Sequence, residues 1–111
     1  MTGAEVTVFQ QSAATLISTI RSVVKIYRQT SVVNRGELAV IREHTKLALA
    51  MAHGHALGQL ARVHLNEIGD TQHLIDSYSQ RGAGPVQIRA MMSQLEILSQ
   101  ALDDNMRKFN A

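Results

Sequence analysis

The chain has 111 residues and a formal net charge of +2, with one proline, no cysteine and no tryptophan. That length fits a single domain with a modest core. The lack of cysteine excludes a disulfide framework, a thiolate zinc site and a cysteine nucleophile. So small a net charge does not by itself point to nucleic acid. With two Phe and two Tyr, the core must be aliphatic. Low proline and a Leu/Ala/Gln/Met-rich second half favour helix.

Charge is distributed unevenly. Residues 1–36 hold Arg21, Lys25, Arg28 and Arg35 against Glu5 alone, a net of +3, whereas residues 37–80 hold three bases against five acids, a net of −2. The N-terminus lacks the basic and apolar runs of a signal peptide. Arg21 and Lys25 interrupt the best apolar stretch before it reaches membrane-spanning length. The expectation is therefore a cytoplasmic protein without a membrane partner.

A first helix is predicted over about 3–30. Thr2 and Glu5 have the spacing of a capping box, and Met1 and Val6 that of a hydrophobic staple. Val6, Phe9, Ala13, Leu16, Ile20, Val23 and Tyr27 then recur at alternating steps of three and four, the repeat that keeps one helix face inward. The pattern stops around Thr30–Asn34. There Asn34 is placed as an N-cap, with Glu37 three residues on, and Val33 and Leu38 as a staple.

The next stretch, about 35–81, carries the longest heptad run. Val40, His44, Leu47, Met51, Gly54, Gly58, Ala61, Leu65, Ile68, Gln72 and Ile75 form one seam, so a single helix of about 70 Å is expected. Gly54 and Gly58 each cost about 1 kcal/mol in a helix interior. Their place on the seam suits close packing of two backbones. The alternatives are a kink or break at His53-Gly54-His55, or a second break at Ile68-Gly69-Asp70-Thr71, where glycine can end one helix and aspartate start another. Arg81-Gly82-Ala83-Gly84-Pro85 reads as a loop, with Gly82 as a left-handed cap and Pro85 opening a third helix over about 85–110. That helix repeats the spacing at Ile88, Met91, Leu95, Leu98, Leu102, Asn105 and Phe109, and ends on Arg107 and Lys108, where the helix dipole favours cations.

These elements predict an all-α protein of three helices, with a long central helix flanked by two antiparallel ones in coiled-coil-like packing. Each flanking helix covers only part of the central one, leaving an apolar stripe that a homodimer would bury. The seam assigned to that contact, or to a protein partner, is Leu47, Met51, Gly54, Gly58, Ala61, Leu65 and Ile68. A break at Gly69 would instead allow a compact monomeric bundle.

Chemistry-bearing constellations are sparse. His64, Glu67, Asp70, His73 and Asp76 follow one another at steps of three, a spacing used by metal-binding bundles. Steps of three drift by about 60° each, so His64 and His73 point apart and a solvated polar face is the expectation. No metal or other cofactor is expected. His44 and Gln72 read as polar seam positions that fix register. Ser and Thr lack a strand-turn-helix elbow or a spaced base, so no enzyme is expected. Arg21, Lys25 and Arg28, with Arg35 nearby, form a basic face. A solvated face partly paired with Glu37 and Glu43 is preferred over a phosphate-binding one, since aromatic interleaving and a recognition-helix turn are absent. The function expected is a protein-protein interaction module (scaffold, adaptor or inhibitor). The alternative is a small nucleic-acid-binding regulator using the basic face.

Overall fold

A computed structural model describes residues 3–52, 56–82 and 84–110. The described residues form four α-helices: α1 (Gly3–Thr30), α2 (Arg35–Met51), α3 (Ala56–Arg81) and α4 (Pro85–Asn110). The all-α class holds, but the three-helix architecture does not. The expected central helix is two helices, separated between Met51 and Ala56. Thr2, Met1 and Gly54, to which the capping box, the staple and one seam position were assigned, lie outside the described residues, as does the burial of Phe109.

Each helix packs closely on two neighbours, α1 on α2 and α4, and α3 on α2 and α4, while the diagonal pairs lie further apart. This is an antiparallel four-helix bundle, 43 × 21 × 19 Å. The split after Met51 removes the reason given for a dimer. A continuous helix would have left much of its stripe uncovered, whereas the folded-back pair closes one core within one chain.

That core is aliphatic, as composition demands. Phe9, Ala13, Leu16, Ile20, Val23 and Tyr27 of α1 are all buried, as are Ile88, Leu95, Leu98 and Leu102 of α4. Ala61, Leu65, Ile68, Gln72 and Ile75 are buried from α3. In α2 the inward stripe is Leu38, Ile41, Thr45 and Ala48, continued by Ala52 just past the helix end, one position out of phase with the expected seam. Thr45 is tolerated there because its hydroxyl donates to the Ile41 carbonyl at 2.6 Å, which satisfies the buried polar atom.

Local chemistry explains the outer boundaries. The Asn34 side chain accepts from the Glu37 N–H at 3.1 Å, capping α2. Gly82 has φ 65° and closes α3, and Pro85 opens α4. Ser31, at φ 60°, closes α1 in the same left-handed conformation, with its N–H donating to the Tyr27 carbonyl at 2.7 Å. Gly69 does not break α3. A side chain there would meet the Thr45 methyl at 3.6 Å, an ordinary contact.

Candidate functional site

The expected seam divides at the split. On α3, Gly58, Ala61, Leu65 and Ile68 face the chain's own core. On α2, Leu47 is 41% exposed and Met51 half-buried. Val40 and His44, in the same phase, are exposed and half-buried respectively. One periodic stripe thus serves as core in one helix and as surface in its neighbour.

The basic face is drawn into ion pairs by packing that the sequence did not predict. Arg21 lies 3.2 Å from Asp103 and also donates to Gln100. Both terminal guanidinium nitrogens of Arg28 donate to the two oxygens of Glu96. Arg35 lies 3.3 Å from Asp76, whose other oxygen accepts from Gln80 at 3.0 Å. Expected partners on α2 are engaged differently: Glu37 accepts from Ser22 at 3.0 Å, and Glu43 pairs with Arg42. The reason is position around α1. Arg21 and Arg28 flank its core stripe on the α4 side, while Ser22 flanks it on the α2 side. Lys25 is exposed, without an ion pair among the described residues. Pairs this accessible contribute about 0–1 kcal/mol each; they align helices more than they hold them together.

Along the α2–α3 interface runs a shallow groove in two sections of about 350 and 300 Å³. Arg35, Arg42 and Lys46 line it from α2, and Asn66, Asp70, Gln72, His73 and Asp76 from α3. Its shallowness follows from small residues: Gly36 and Ala39 on one side, Gly69 on the other. Of the polar series on α3, Asp70, His73 and Asp76 reach this groove, His64 is half-buried and Glu67 exposed. Among the described residues, no three His, Asp or Glu side chains gather in a way that could hold a metal ion. No helix among them is long and apolar enough to cross a membrane.

A third feature escaped the periodicity. Leu60 and Val63 are 55% and 58% exposed, and Leu74 is 43% exposed. At 100° per residue the three fall within about 60° of one another on α3, well away from its core stripe. The signal lay in plain sight as three large aliphatics outside the heptad positions. No family model, curated protein or solved structure matches the chain.

Proposed function

We propose that the bundle is a protein-protein interaction module, a scaffold, adaptor or inhibitor, that acts by presenting a helix face and performs no catalysis. The observation that carries this reading is the aligned, outward-facing set Leu60, Val63 and Leu74 on α3. Single exposed aliphatics are ordinary on any surface. Leu60 and Val63, one turn apart, offer a partner an apolar pair at helical spacing, and Leu74 lies on the same sector about 16 Å further along, beyond Glu67 and Asp70. The partner is a protein with an apolar helix or groove of its own.

The nucleic-acid reading is weaker. A phosphate would have to displace Asp103, Glu96 and Asp76 from Arg21, Arg28 and Arg35. If it held, binding would weaken steeply with salt.

The test is affinity copurification with two double variants, Leu60→Asp with Val63→Asp on α3, and Val86→Asp with Ile97→Asp on α4 as a control. The control positions are 71% and 62% exposed. A partner held by the wild type and the control but lost by the α3 variant supports the proposal. Equal retention by both variants, or no protein partner at all, refutes it.

A further inference from the structure

Across the α2–α3 groove the side chains change in character from one wall to the other. On α2, Arg35, Arg42 and Lys46 line it, and their steps of seven and four keep them within about 40° of one another around the helix. On α3, Asp70, His73 and Asp76 line the opposite side. Arg35 and Asp76 bridge one end with their own ion pair at 3.3 Å. Further along, the charges are not matched across the groove. Lys46 and Asp70 have no ion pair among the described residues, and Arg42 meets its exposed chain neighbour Glu43 at 3.5 Å.

Gln72 sits between the two walls. It lines both sections of the groove and is only 5% exposed. Its amide makes no hydrogen bond among the described residues. The register role expected of a polar seam residue needs a partner on a facing helix, and Gln72 has none there. Among the described residues, the side-chain atoms sealed from solvent without a partner are Glu37 Oε2 and Asn105 Nδ2. The Gln72 amide is not one of them, so it keeps an opening, and the space it lines is the groove. That amide holds an acceptor and two donors. A leucine would fill the same volume without a polar group to satisfy, so packing gives no reason for the amide.

We propose that the groove binds an extended segment of another protein, about six residues long, in which an acidic residue stands next to a basic one. Successive side chains of an extended chain point to opposite sides. The acid meets Arg42 and Lys46, a charge-assisted contact, and its basic neighbour meets Asp70. Between them the main-chain N–H and C=O of one residue turn onto Gln72, the N–H donating to Oε1 and the C=O accepting from Nε2. From Arg35 to Leu49 the groove runs about 21 Å, the span of about six extended residues at roughly 3.3 Å each. Gly36, Ala39 and Gly69 along it have no bulk to hold a main chain away from the amide. A nucleic-acid phosphate fits less well, because it would bring its charge against Asp70 and Asp76. Leu60 and Val63 lie outside this groove, and the segment needs neither.

The probe is a library of random linear heptapeptides displayed on phage and panned against the intact protein. The best sequence is then measured as a free fluorescent peptide by anisotropy. The expected result is an enriched pair of adjacent acidic and basic residues. Affinity for the free peptide should fall about tenfold in Gln72→Leu, for the lost neutral hydrogen bonds, and about a hundredfold in Arg42→Glu with Lys46→Glu. Val86→Asp with Ile97→Asp should leave it unchanged. Gln72→Leu should melt no lower than the wild type, since it removes a polar group without a partner.

Single N-methylation along the peptide, read against the wild-type protein, tests the main-chain contact without altering the bundle. One position should cost as much as Gln72→Leu. Overturning results are a library that selects nothing, selected sequences without the charged pair, full binding by Gln72→Leu, or tolerance of N-methylation at every position. Selection of apolar sequences that are lost with Leu60→Asp and Val63→Asp also overturns it, while leaving the reading of the α3 face standing.

Discussion

α2 and α3 are neighbours with the same alternating steps of three and four, yet they bury different kinds of residue. α3 turns Leu65, Ile68 and Ile75 inward, each with no exposed surface. α2 turns Thr45, Ala48 and Ala52 inward below Leu38 and Ile41, and leaves Val40 and Leu47 partly in water. The difference shows that periodicity establishes a face without saying whether that face is the core. α2 carries two stripes of equal spacing. Which one is buried follows from where α1 and α3 lie, and that in turn follows from the chain turning back after Met51. Thin packing of α2 also accounts for the open groove along α2–α3, where Thr45 and Gly69 bring the two backbones together with little side-chain bulk between them.

The contrast can be broken by substitution, beginning with the largest effect. Leu65→Ala should cost about 2–5 kcal/mol, the range for emptying a fully buried leucine site, measured by denaturant unfolding. Ala48→Leu should cost about 1–3 kcal/mol in the same measurement, because the small α2 stripe has no room for three added carbons. Leu47→Ala should cost no more than about 1 kcal/mol, since the side chain is already 41% exposed and its removal leaves no closed cavity. Were Leu47→Ala as damaging as Leu65→Ala, the assignment of the α2 stripe would be wrong. Gly69→Ala should raise stability by about 0.5–1 kcal/mol, because alanine is the better helix former and its methyl meets Thr45 at an ordinary 3.6 Å. A loss there would mean that α2 and α3 approach more closely than this packing describes.

Much of the fold is legible from local chemistry. Asn34, Gly82 and Pro85 mark their boundaries through side-chain capping, left-handed backbone and fixed φ, which depend on a few adjacent residues. The α1 and α4 core stripes are equally legible, because each helix carries one dominant apolar face. The split after Met51 is legible only as the alternative break at His53-Gly54-His55, not as the preferred reading. The heptad run passes through it without a fault, and the alanines and leucines on both sides favour helix. Ser31 shows the same limit on a smaller scale, as a left-handed position without the glycine that would announce it. At the surface, the bases of α1 could be recognised, but their partners could not. Asp103 and Glu96 lie some seventy to eighty positions away in the chain, and only the bundle brings them alongside. Leu60, Val63 and Leu74 fall between the heptad positions, so the 3-4 spacing does not announce them.

The most direct test of the fold is a distance between the two ends of the α2–α3 pair. Spin labels at residues 35 and 80, introduced as Arg35→Cys with Gln80→Cys and measured by pulsed dipolar spectroscopy at micromolar dilution, separate the two arrangements cleanly. A closed bundle places them on adjacent antiparallel helices, for a separation of roughly 10–20 Å once the labels are included. A distribution centred near 70 Å, the span of one uninterrupted helix, in a sample of monomeric mass would contradict the four-helix bundle described here.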